Sequence, residues 1–249
     1  MGSTVCRAVD ADPALELVAA VDPHHAGLDM RQVTGTDHSW QVAATGSAFI
    51  EAGAEVVVDF THLEAARTNL LFLAEHGIHA VTGTTGFSEA DYAAFEAAFT
   101  LSNCVIAPNF AIGAVLMMRF AELAAPYFET AEIVELHHDA KLDAPSGTAM
   151  LTAERMAAAS GEWAADPTRT EILSGARGGE GPAGIRVHAL RLRGMVAHQE
   201  VILGTTGQTL SIRHDSYDRD SFMPGVVLAV KAVGDRRGVT VGLDALLDL

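Results

Sequence analysis

The segment "ELHHDAKLDAPSGTA", Glu135 to Ala149, gathers two adjacent histidines, a lysine four residues after the first of them, and two aspartates, then breaks into a Pro-Ser-Gly-Thr turn. Imidazole titrates near neutral pH and an ammonium carries a proton, so His137 and Lys141 together suit proton transfer. Pro145, Ser146, Gly147 and Thr148 precede a stretch of helical periodicity, and the first N–H groups of a helix have no partner inside it. Such groups form a cradle for an anion, which a nearby lysine complements. Three readings compete: a solvated loop, since charged side chains are mostly exposed; a metal cluster; or a proton-transfer site for a small acid. A metal needs three or four converging ligands, and no H-E-x-x-H or Cys/His spacing accompanies the pair. If "AEIVELHH" is a strand, alternation puts Glu135 and His137 on one face and Val134, Leu136 and His138 on the other, so the two imidazoles point apart. The turn favours the third reading, an anionic small molecule held and protonated at one place.

The elements that must position this segment fall into two parts. From Leu15 to Asn109, apolar or β-branched runs ("LELVAAVD", "EVVVDFT", "HAVTGTT", "NCVIAPN") alternate with helical patterns, "LEAARTNLLFLAEHG" and "SEADYAAFEAAF". The second helix opens on Ser88 as N-cap with Asp91 as a capping-box acid. That alternation predicts a parallel sheet with right-handed crossovers. Near residue 110 the rhythm changes to two helices, "FAIGAVLMMRFAELAAPYF" and "TAMLTAERMAAA", and three alternating strands, "IRVHALRLRG", "AHQEVILG" and "QTLSIRHD". Short turns between those strands predict antiparallel sheet, and the last segment, from "SFMPGVVLAVKAV", is expected to pack back on the first domain. The tetrapeptide "GTTG" occurs twice. Gly204 to Gly207 lies between alternating strands and reads as a hairpin turn. Gly83 to Gly86 follows a parallel strand and precedes a helix, where open α/β sheets hold their ligands.

Composition narrows the partners. The 249 residues are 49% apolar and 19% charged, with 32 acidic against 16 basic side chains and a formal charge of -16. So acidic a chain lacks the basic footprint of a nucleic-acid binder. Cys6 and Cys104 show neither a disulfide nor a zinc spacing. The longest strongly apolar run, around "FAIGAVLMM", falls short of the ~20 residues that span a bilayer, and a reduced, cytoplasmic setting is expected.

In chain order, "VVVDFTH", "VTGTTGF", "IAPNFAIGA", the His-His to Pro-Ser-Gly-Thr segment and "IRHDSYDRDSFMPG" resemble the dihydrodipicolinate reductases, also called 4-hydroxy-tetrahydrodipicolinate reductases, of the diaminopimelate route to lysine. The likeness runs from the first residues to the last. It implies an α/β fold with a Rossmann-like dinucleotide-binding domain, residues 1–109 completed by 220–249, and an α+β domain, residues 110–219, with an antiparallel or mixed sheet, that binds a dicarboxylate substrate and assembles a homotetramer. By the same resemblance His137 and Lys141 are the proton-transfer pair, with Lys141 the donor, while His138, Gly147 and Thr148 hold the substrate's carboxylates. Gly83, Thr84 and Thr85, together with Ala107, Pro108, Asn109 and Phe110, match loops against the cofactor, NADH or NADPH. Asp22 matches the acid that accepts from the adenosine ribose. An acid there hydrogen-bonds ribose hydroxyls and repels a 2′-phosphate, which leans towards NADH.

A dinucleotide fold of this kind opens with a strand and a G-x-x-G-x-x-G loop feeding the first helix. Here "MGSTVCRAV" reads as that helix, with Met1 and Gly2 as closing residues of the loop, so the first strand and the pyrophosphate cradle are expected to be missing. Two explanations follow: the recorded chain starts at an internal methionine of a longer reductase, or it is a short, catalytically silent homologue that only binds dicarboxylate or assembles. An in-frame strand and G-x-x-G-[RK] encoded upstream supports the first.

Overall fold

The computed structural model describes residues 1–247. The chain divides into two compact units, Met1–Ala111 joined by the chain from Arg219 onward, and Ile112–Asp218. In chain order the first part holds α1 (Gly2–Ala11), α2 (Met30–Thr34), α3 (Ser47–Glu51), β1 (Val56–Asp59), α4 (Leu63–Glu75), β2 (His79–Thr82), α5 (Glu89–Ala98) and β3 (Cys104–Ile106). The second unit holds α6 (Ile112–Ala124), β4 (Thr130–His137), α7 (Gly147–Ala159), β5 (Gly179–Glu180), β6 (Arg186–Arg191), β7 (Ala197–Thr205) and β8 (Gln208–Ser216). The chain then returns to the first unit with α8 (Met223–Ala232) and β9 (Val239–Val241).

The first unit's sheet runs β1-β2-β3-β9, parallel throughout. Its strands are apolar on both faces because helices cover them, the usual condition of a parallel sheet. Leu70, Leu73, Phe95, Phe99 and Ile106 fill the core. The Ser88–Asp91 capping box forms as the sequence predicts. One expected strand does not. "LELVAAVD" is extended but makes a single bridge, Val21 with Ala43, and Val18 is exposed. A strand needs a ladder, and this stretch meets the chain around Ala43 on one side while the other side borders a groove of about 1320 Å³, lined also by Val56, Val57 and Val58.

The second sheet is mixed, within the antiparallel or mixed sheet expected of this domain. Its order is β5-β6-β4-β7-β8, so β4 inserts between β6 and β7, parallel to the first and antiparallel to the second. Consecutive alternating strands therefore do not all pair with one another, because the strand that precedes them takes the central position. The face carrying Ile133, Val187, Val201 and Leu203 packs under α6 and α7. The second "GTTG" is the β7–β8 hairpin turn, with Gly207 at φ 82°, a conformation glycine adopts without penalty.

Within α8, Gly225 lies where an added Cβ would stand 2.1 Å from the Phe110 carbonyl oxygen and 2.9 Å from Leu243. Backbone cannot yield as a side chain does. Gly225→Ala is expected to cost about 1–3 kcal/mol by overpacking, lowering Tm by roughly 2–4 °C for each kcal/mol in a chain of this size. Thermal denaturation checks it, and an unchanged Tm would show that the 107–110 turn moves freely.

Candidate active site

β4 is the central strand of its sheet, hydrogen-bonded on both sides, so its side chains alternate strictly between faces. Ile133, Glu135 and His137 share the helix-covered face. Glu135 is fully buried, 0% exposed. A buried carboxylate persists only where donors replace water, and here four do. His137 Nδ1 lies 2.5 Å from Oε2. Arg191 donates from Nη1 to Oε2 at 2.9 Å and from Nη2 to Oε1 at 2.8 Å. The Ser146 backbone N–H donates to Oε1 at 3.1 Å. Arg191 comes from β6, directly beside His137 in the ladder. Its Nη2 also donates to the Asp143 carbonyl at 2.7 Å, fastening the loop that follows β4.

Electrostatics follow from this packing. Burial opposes ionisation of Glu135, but hydrogen bonds from Arg191 and His137 outweigh it and hold the carboxyl below its ordinary range. For His137, burial dominates and lowers the imidazole's pKa. The Glu135 carboxylate pulls the other way, while Lys141 and Arg191 repel the protonated ring. The neutral imidazole is therefore favoured near pH 7, beside a lysine close enough to act on it.

Lys141 Nζ holds both oxygens of Asp143, at 2.7 and 2.8 Å, and that pairing depresses the Asp143 carboxyl. At the loop's end Ser146 caps α7, its hydroxyl accepting from the Ala149 N–H at 3.2 Å. The Gly147 N–H has no partner among the described residues, and a Cβ on Gly147 would meet nothing within 4 Å. Thr148, half-buried in the first turn of α7, accepts at its carbonyl from the Thr152 hydroxyl. One carboxylate, Glu135, thus ties the imidazole to the start of α7, and Arg191 ties both to the lysine loop. His138 stands apart. It follows the last residue of β4, is exposed, and its ring has no hydrogen-bond partner among the described residues.

The remaining candidates lie in the first unit. Its parallel strands end level with one another, Asp59 beside Thr82 and Thr82 beside Ile106, so the turns after them cluster at one edge. Gly83 donates to the Asp59 carbonyl and Ala107 to that of Thr82. A Cβ on Gly83 would stand 2.2 Å from the Phe60 ring, which itself packs edge-on against the buried Phe110 at 5.6 Å. Thr84 is buried with its hydroxyl committed to the Thr61 carbonyl at 2.9 Å, whereas Thr85 and Pro108 are exposed. The Asn109 side chain accepts from the Ala111 N–H. Asp22 accepts from the His24 N–H and pairs with His25 Nδ1, each at 2.8 Å.

Met1, Gly2, Ser3, Asp22, His25 and Phe60 line the same 1320 Å³ groove. The N-terminus of α1 has no side-chain cap, and a Cβ at Gly2 would meet nothing within 4 Å. Free helix N–H groups and a half-exposed carboxylate on one groove fit the phosphates and ribose of a dinucleotide.

Sequence reasoning gave no role to Glu135 and did not single out Arg191. Part of the signal was present: Ile185 and Val187 are buried on one face, and Arg191 falls on the same alternation, where a guanidinium calls for an anion beside it.

Comparison with known proteins finds relatives along the whole chain. Residues 1–110 match the family model for the dihydrodipicolinate reductase N-terminus, and residues 113–247 that for its C-terminus. A 4-hydroxy-tetrahydrodipicolinate reductase of Nocardia farcinica is 52% identical over 256 aligned positions, covering 100% of this chain and 95% of the relative. That of Cutibacterium acnes is 48% identical with the same coverage. Among solved structures, a dipicolinate-bound dihydrodipicolinate reductase of Paenisporosarcina sp. TG-14 superposes with a TM-score of 0.85 at 36% identity, covering 98% of this chain and 94% of that one. By sequence along both units and by fold, the chain belongs to the dihydrodipicolinate reductase family.

Proposed function

We propose that the chain is a 4-hydroxy-tetrahydrodipicolinate reductase of lysine biosynthesis, a cytoplasmic oxidoreductase that uses NADH or NADPH. The observation that carries this reading is the cluster at the end of β4, where an imidazole, a lysine and the open start of α7 are tied together through Glu135 and Arg191. It lies in the region matching the family's C-terminal model, and a structural relative has dipicolinate bound. The domain roles follow: residues 1–109 with 220–249 hold the cofactor, and residues 110–219 hold the substrate and assemble the homotetramer.

Bound NAD(P)H supplies the hydride. Gly83, Thr84, Thr85 and Ala107 to Phe110 shape the cofactor's nicotinamide side, Asp22 accepts from its ribose, and Met1 with the start of α1 faces its phosphates. In the second unit the N–H groups of Gly147 and Thr148 hold one carboxylate of the dicarboxylate, aided by His138. Hydride addition leaves negative charge on the substrate, and a neighbouring carbon must take a proton. Lys141 donates it, with His137 beside it as the second titrating group. No helix among the described residues is long and apolar enough to cross a membrane.

An assay of NADH and NADPH oxidation with the product of dihydrodipicolinate synthesis tests the reading. Turnover supports it. No turnover, together with no cofactor-induced thermal shift, would favour a silent homologue. Gly147→Ala probes the carboxylate cradle specifically. The added methyl meets no protein atom, so Tm should hold, while the substrate's KM rises roughly 10- to 100-fold as one charge-assisted hydrogen bond of about 1.5–3 kcal/mol is blocked. An unchanged KM removes Gly147 from the site.

A further inference from the structure

We propose that Glu135, clamped by Arg191, is a positioning residue that fixes His137 as the Nδ1–H tautomer and leaves Nε2 as a proton acceptor facing the reaction. The inference deepens the reductase reading and rests on it. Geometry carries it. An ionised carboxylate only accepts, so the nitrogen 2.5 Å from Glu135 Oε2 must be the one bearing hydrogen. The carboxylate cannot rotate away, because Arg191 grips both its oxygens and the Ser146 N–H holds one of them. Glu135 and His137 are two residues apart on one face of a strand paired on both sides, which fixes the ring's base as well. Nε2 has no partner among the described residues, and it is not one of the buried atoms left without one, so it remains accessible.

The consequence is a division of labour. A neutral imidazole with hydrogen on Nδ1 can orient an ammonium or receive a proton through Nε2, but it cannot give one there. Lys141 is left as the donor to substrate, and His137 acts on Lys141 and not in its place. The burial of Glu135 also explains why an acid occupies a core position that an apolar residue would fill more cheaply: the hydrogen bond to the far nitrogen sets the tautomer of the near one.

The decisive measurement needs neither substrate nor cofactor. Long-range proton–nitrogen NMR of the full chain labelled with 15N-histidine, with His137 assigned by its loss in His137→Asn, should show the neutral ring protonated at Nδ1. Glu135→Gln supplies the functional arm. Without the anionic partner, the His137 titration should move to lower pH by about one unit, and kcat should fall roughly 100-fold with the NADH dissociation constant unchanged. A wild-type ring protonated at Nε2 overturns the proposal, as does a Glu135→Gln protein that titrates and turns over like the parent. If the tautomer is as stated and the wild-type chain reduces nothing, the reductase reading fails instead.

Discussion

Lys141→Ala lowers kcat by roughly 10²–10⁴-fold, the usual contribution of a placed general acid, and leaves the NADH dissociation constant where it was. The substitution removes little else. Among the described residues the Lys141 ammonium is paired with Asp143 alone, whose side chain is 66% exposed, and such solvent-facing ion pairs contribute ~0–1 kcal/mol. Tm should therefore stay close to that of the parent, so a lost rate reports chemistry and not unfolding. Lys141→Arg separates charge from proton. Guanidinium keeps the positive charge that attracts a dicarboxylate but does not deprotonate at working pH. KM should stay within a fewfold of wild type in this variant while kcat falls nearly as far as with alanine. Steady-state kinetics with both variants decide the assignment, and a Lys141→Ala enzyme turning over within threefold of the parent would falsify it.

Much of this site was legible in residue order, for reasons that particular positions make plain. Strand periodicity is local, so the shared face of Glu135 and His137 followed from "AEIVELHH" alone, and the central pairing of β4 enforces it. Capping is local too, and Ser88 caps the helix its spacing predicts. What local pattern does not encode is which strand sits beside which. The order β6-β4-β7 brings Arg191 next to His137 although the two are far apart in the chain. Without that register Glu135 is one more acid in a charged segment. "LELVAAVD" shows the same limit from the other side. Its composition suits a buried strand, yet a strand exists only with a ladder, and its neighbours offer one bridge. Thr84 shows a third limit: its buried hydroxyl donates to the Thr61 carbonyl, a bond between two turns that local pattern does not encode.

Arg191→Met should be the most destabilising single change at this site, and its cost should depend on pH in a definite direction. Removing one partner of a buried ion pair strands the other, at about 3–5 kcal/mol. In the parent, hydrogen bonds from Arg191 and His137 depress the Glu135 pKa below its unfolded value against the opposing effect of burial. That contribution to stability is present above the unfolded pKa, near 4.3, and is lost as pH falls through the lower folded value. In Arg191→Met the guanidinium is gone and burial remains, so the Glu135–His137 pair holds a proton more tightly when folded than when unfolded. The variant's folded state then regains stability on acidification while the parent's does not. The gap between the two should be widest near pH 7.5 and shrink by pH 4.5, measured as the difference in unfolding free energy from urea titrations at each pH. A gap that stays constant, or widens towards acid, would mean that Arg191 acts by filling space and tethering the Asp143 carbonyl, with no electrostatic hold on Glu135.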